Sequence, residues 1–206
     1  MQENTLDVFN ILIDGGWVMI PLFILGLIIY GLGLSIILFF RKTDFRKATP
    51  ELVRTWVEDP SKAEGQVGEI LRYAQDDVES LEQIQTRFEE VRLSEIPRIN
   101  LSIVVLSVLV NAAPLMGLLG TVLGMLTTFQ GISMGGAEKT TDLVAKGISE
   151  ALITTQMGLF LAIPGYFLVY NVKAKRASFE SFLVRLESLT LQEFKRRSQT
   201  DDNAAV

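Results

Sequence analysis

Apolar positions along the chain follow two patterns. In the first they run without interruption: residues 17–40, 99–137 and 151–172 carry no Asp, Glu, Lys or Arg over 24, 39 and 22 positions. A helix needs about 20 apolar residues to cross a bilayer, so the runs predict three transmembrane helices at 17–40, 99–130 and 147–172. In the second pattern the apolar positions recur. Val67, Leu71, Ala74, Val78, Leu81, Ile84, Phe88 and Val91 follow one another at intervals of three and four, as do Phe179, Phe182, Leu186, Leu189 and Phe194. Such stripes, backed by charged faces, predict amphipathic helices that pack on one another. Thr49-Pro50-Glu51 reads as the start of a short helix that ends near Asp59-Pro60, and Ser61 with Glu64 has capping-box spacing for the next one. The predicted fold is an all-α integral membrane protein with three spans and long amphipathic helices outside the bilayer.

Charge orients these elements. Lys and Arg are absent from residues 1–16, number ten in 41–98, two in the linker between the second and third spans, and seven in 173–206. The two cation-rich segments lie on one side of a three-span chain, and the positive-inside rule makes that side the cytoplasm and leaves the N-terminus outside. The layout predicted is an outer interfacial segment (1–16, with Leu6, Phe9, Leu12 and Ile13 on one helical face) and, after the first span, a cytoplasmic helical region (41–98). A short outer linker (131–146) joins the second and third spans, and a cytoplasmic helix (173–197) leads to a disordered tail (198–206). Glu3, Asp7 and Asp14 precede the first run, unlike the basic start of a secretory signal, so that run reads as a retained helix.

Composition removes whole classes of chemistry. The chain has no Cys and no His, so it offers no thiolate nucleophile, no zinc site of the usual kind and no Ser-His-Asp triad. A net charge of −5 argues against a nucleic-acid partner. The glycines near Gly117 lack the Lys-Ser/Thr ending of a phosphate cradle. No metal, no cofactor and no enzymatic activity are expected.

The second and third spans differ from the first. Ala113, Gly117, Gly120, Thr121, Gly124 and Thr128 place small or hydroxyl residues at spacings of three and four, and Ala151, Thr154, Thr155, Gly158, Ala162 and Gly165 repeat the theme. Gly117, Gly120, Gly124, Ala151, Gly158 and Ala162 are the expected helix-packing positions, where backbones approach closely. Thr121, Thr128, Thr154 and Thr155 sit on or beside these stripes. If several copies surround an axis, their hydroxyls become polar rings in an apolar tube, a lining for ion or water passage. Glu150 is the one carboxylate at the edge of the third run and a candidate by virtue of its place in the membrane. No Asp, Glu or Lys sits mid-membrane in the first two spans, so a central titratable group would come from a partner.

Ala113-Pro114-Leu115-Met116-Gly117-Leu118-Leu119-Gly120-Thr121-Val122-Leu123-Gly124-Met125 resembles the second-span signature of the ExbB/TolQ/MotA proton-channel family. Gly147-Ile148-Ser149-Glu150-Ala151-Leu152-Ile153-Thr154-Thr155-Gln156-Met157-Gly158-Leu159, followed by Ala162-Ile163-Pro164 and Tyr170-Asn171, resembles the third. Three spans with a large cytoplasmic loop are similar to the ExbB and TolQ branches, and the wording from Ile148 to Thr155 inclines towards ExbB. The resemblance implies a multi-pass subunit of the bacterial inner membrane, assembled as a homopentamer around two copies of a single-span ExbD/TolR-type partner. That partner carries the aspartate that takes the proton, and the work passes to a TonB- or TolA-type protein acting at the outer membrane. It further implies that Thr121, Thr155 and Glu150 belong to the proton pathway; Thr154 and Thr128 are further lining candidates from their place on the stripes alone. Thr154 and Gln156 stand where many relatives have Ala. The rivals are a TolQ-type role in outer-membrane integrity and a scaffold that holds partner helices and conducts nothing. Proton and sodium are not separated by composition.

Overall fold

The computed structural model describes residues 15–42, 50–63, 65–78, 80–133 and 137–204. The interfacial face of residues 1–14, the cap at Thr49, the Glu64 half of the capping box and the Gly135-Gly136 turn lie outside the described residues. All regular structure among the described residues is helical: α1 (Met19–Lys42), α2 (Pro50–Glu58), a single 3-10 turn (Pro60–Lys62), α3 (Gly65–Gln75), α4 (Leu81–Ser133) and α5 (Ala137–Ala204). Three of them, α1, α4 and α5, are long and apolar enough to cross a membrane.

The chain divides into two compact units, and α1, α4 and α5 contribute to both. The first holds the described residues up to Gly33 together with 104–170. Its buried apolar side chains come from all three long helices: Leu22, Leu25 and Ile29 of α1, Leu106, Val110 and Ala113 of α4, and Ala151, Leu161, Ala162 and Val169 of α5. In this unit α1 runs alongside α5 in the same direction. Gly26 lies under Leu161 and Gly33 under Leu168, and the Tyr30 hydroxyl donates to the Leu161 carbonyl at 3.1 Å. Helix α4 packs on α5 in the opposite direction. Large apolar side chains such as Phe23, Leu27, Leu118, Val122, Phe129, Phe160 and Phe167 point away from the unit. A water-soluble protein does not expose a surface of this kind.

The second unit holds residues 34–103 and 171–206. Phe88 and Phe179 are fully buried there, with Val53 and Val57 of α2, Leu71 of α3, and Leu183 and Leu186 of α5. Phe40 meets Phe179 edge to face with ring centroids 6.2 Å apart. Arg92 and Glu187 pair across α4 and α5.

Three local readings of the sequence change here. The stripe from Val67 to Val91 is not one helix: it breaks after Gln75, and Asp77 adopts a left-handed φ of 47°. Asp tolerates that conformation. The Arg87 guanidinium, reaching back from α4, donates to the Tyr73 carbonyl at 2.7 Å and to the Asp76 carbonyl, so the freed helix end is capped. At Ser61 the cap is Asp59 instead, whose side chain accepts from the Ser61 amide at 3.2 Å and pairs with Lys62. The Ser61 hydroxyl, and then Lys62, hold the Asp59 carboxyl below the usual carboxylate range. Finally, α5 extends to Ala204 through most of the stretch read as a tail, and it begins at Ala137 within the stretch read as a linker. Adding a turn to an existing helix needs no new nucleus, and the Thr200 hydroxyl bonds back to the Arg196 carbonyl at 2.9 Å.

Candidate functional site

The glycines of α4 and α5 bring the two backbones together along a seam. A Cβ on Gly158 would stand 2.7 Å from the Ala113 carbonyl oxygen and 3.1 Å from the Gly117 Cα. One on Gly117 would stand 3.0 Å from the Thr154 carbonyl oxygen, and one on Gly124 would stand 2.8 Å from the Ala151 Cβ. Gly120 lies beneath the Thr154 side chain, Gly147 beneath the Thr128 hydroxyl, and Gly165 beneath Val110. Each step forward on α4 meets a step back on α5, as antiparallel helices require. Ala151 and Ala162 are buried in the same unit.

The four threonines divide between the inside and the edge of this seam. Thr154 is fully buried, and its hydroxyl donates to the Glu150 and Ala151 carbonyls of its own helix, both at 3.0 Å. Thr128 is buried likewise, its hydroxyl donating to the Gly124 carbonyl at 3.0 Å. Both are already enclosed within a single copy of the chain. Thr121 and Thr155 are half-buried at the edge. The Thr121 hydroxyl donates to the Leu118 carbonyl at 2.7 Å. Thr155 reaches across: its hydroxyl lies 3.2 Å from the Gly117 carbonyl of α4 and 3.2 Å from the Ala151 carbonyl of α5. The Gly117 carbonyl is reachable because no side chain shields it.

Glu150 is not beside that pair. Five residues separate it from Thr155, about 140° around a helix of 100° per residue. Its carboxylate lies over Gly16, the positive-φ residue just ahead of α1, where any Cβ would overlap it. The structure therefore brings Thr121 and Thr155 to one side of the seam and sends Glu150 to the other, against the start of α1.

One polar pair escaped the sequence reading. The Tyr166 hydroxyl donates to the Asn111 side-chain oxygen at 2.8 Å, joining α5 to α4 outside the seam. A search for charges inside the apolar runs passes over both residues; a search for amides would have found Asn111. Among the described residues no cluster of three metal-ligating side chains occurs.

Residues 61–183 match the family model described as the MotA/TolQ/ExbB proton channel family. The matched stretch contains α3 and the whole seam. Among curated proteins the chain is similar to an ExbB-like biopolymer transport protein of Synechocystis sp. (45% identical over 60 residues, 28% of this chain and 24% of that protein). It is similar to the Tol-Pal system protein TolQ of Haemophilus influenzae (44% over 66 residues, 32% and 28%). It is also similar to the biopolymer transport protein ExbB of Pseudomonas putida (45% over 73 residues, 34% and 21%). The chain thus spans between a fifth and a third of the length of these relatives.

Proposed function

This chain belongs to the MotA/TolQ/ExbB proton channel family, and from that membership we propose that it is a pore subunit of a motor complex of the inner membrane driven by the proton-motive force. In this reading five copies surround two single-span partners of the ExbD type, and the complex energises TonB-dependent transport at the outer membrane. The spans are 17–40, 99–130 and 147–172, with residues 41–98 and 173–206 in the cytoplasm; the 17 of 19 cations in those two segments support that orientation. The comparable similarity to TolQ proteins keeps a Tol-type role in outer-membrane integrity as the second reading.

The observation that carries the proposal is the placement of Thr121 and Thr155 at the open edge of the α4–α5 seam. A hydroxyl both donates and accepts, so it passes a proton along a hydrogen-bonded chain but does not store one. Residues 99–137 hold no carboxylate, so the group that is loaded and unloaded belongs to the partner helix. Thr128 and Thr154 pack the seam. Glu150 stands against the start of α1 and is the pathway's carboxylate at the outer end of its span.

The test is proton flux into liposomes containing the complex purified with its partners, under an imposed gradient. Thr155→Val, which keeps the shape and loses the hydroxyl, should lower flux about fivefold with oligomer mass unchanged, as the loss of one hydroxyl proton shared between two carbonyls, about 1 kcal/mol, suggests. Thr155→Ser should restore it, and Thr154→Val should leave it intact. Background leak from the unsubstituted complex would instead favour the scaffold.

A further inference from the structure

Tyr166 and Asn111 share a hydrogen bond on a face that the seam does not cover. Tyr166 is 50% exposed and Asn111 is exposed as well. Both lie deep in the apolar runs. Tyr166 is seven residues before Lys173, about 10 Å along the helix, and Asn111 is thirteen beyond Arg98, about 20 Å. Hydrocarbon satisfies neither a phenol oxygen nor an amide. Their mutual bond leaves the Asn111 N–H groups and the Tyr166 lone pairs unmet, which favours a face turned away from lipid tails.

That face is the one that carries the threonines. Tyr166 follows Thr155 by eleven residues, which at 100° per residue brings it back to within about 20°. Both stand on the side of the α5 glycine row opposite Glu150 and Leu168, the residues that meet α1. Asn111, ten residues before Thr121, lies on the same side of the α4 glycines but about 80° further round, and it is the bond to Tyr166 that ties it to the threonine face.

We propose that Asn111 and Tyr166 form a second polar station on the path marked by Thr121 and Thr155, holding water between those threonines and the Lys173 end of the span. The assignment rests on the reading of this chain as a conducting subunit. Its chemistry is that of an anchor. The Tyr166 hydroxyl spends its proton on the Asn111 oxygen and keeps its own lone pairs to accept from water, while the Asn111 amide N–H groups donate. Together they orient a water without carrying net charge.

The same liposome assay separates this from the threonine reading. Tyr166→Phe keeps the ring and removes only the hydroxyl; it should lower flux about fivefold, the effect of one hydrogen bond, with oligomer mass and thermal midpoint unchanged. Asn111→Leu should lower flux at least as much, and the double variant no further, because the two act as one unit. Full flux from Tyr166→Phe alongside a deficient Thr155→Val overturns the station and leaves the threonine path standing. Full flux from both variants overturns both. A loss in Tyr166→Phe that tracks a loss of oligomer makes the bond a helix tie and also overturns the proposal. If Asn111→Leu fails to assemble, Tyr166→Phe decides alone.

Discussion

At Gly158 a single added methyl group would meet backbone on the opposing helix, the Ala113 carbonyl at 2.7 Å and the Gly117 Cα at 3.1 Å. Backbone does not swing aside as a side-chain tip does. Gly158→Ala should therefore push the helices apart and cost about 1–3 kcal/mol, measured as a lower thermal midpoint in detergent. Gly31 in α1 has nothing within 4 Å of an added Cβ. Gly31→Ala should be neutral or stabilising by up to about 1 kcal/mol, since Ala is the better helix former. The small-residue stripes were legible in the sequence because their spacing is that of one helix face. Which threonine faces where was not. Thr154 and Thr155 flank the same row of glycines, and only the direction from which α4 approaches buries the first and leaves the second at the edge. For Glu150 the sequence supplied depth in the membrane but not azimuth.

Among the elements, the end of α5 is held by charge. Glu193, its side chain largely buried, takes Arg196 at 2.9 Å and Arg197 at 3.0 Å, while Arg197 donates onward to the Glu58 carbonyl at the end of α2 at 2.7 Å. Arg196 first, then Arg197, hold the Glu193 carboxyl below the usual range against the opposing effect of burial. A carboxylate with a lowered folded value contributes stability that is complete above its unfolded value, about 4.3, and is lost as pH falls through the folded value. Trp56 of α2 reports the change. In a Trp17→Phe background its fluorescence should shift below about pH 4, and Glu193→Gln should remove the transition by releasing the contact at neutral pH. The break between α3 and α4 was hidden from the sequence for a related reason. An apolar period continues in register across Asp77, and what ends the helix is the cap supplied by Arg87 from ten residues further on.

For the whole molecule, the three long apolar helices were legible because bilayer thickness sets a length that few other constraints demand. Their packing was not, since it depends on pairs of residues from twelve to more than a hundred positions apart. The absence of cysteine makes the proposed orientation directly measurable. Ser133→Cys should react with a membrane-impermeant maleimide added from outside the inner membrane, and Ser61→Cys and Ser198→Cys only after lysis. The reverse pattern would invert the topology.

The seam also has a mechanical meaning. Its contacts are large-on-small pairs that alternate between helices: Val110 over Gly165, Thr154 over Gly120, Thr128 over Gly147, and Leu143 over Gly131. Sliding α5 by one turn, about 5.4 Å, would set Val110 against Ala162 or Val169, and Thr128 against Ala151 or Leu143, where no glycine receives them. The two helices are keyed like a bolt in its slot. The pair resists sliding, so in the proposed complex any helix that turns or slides does so against this pair and not within it.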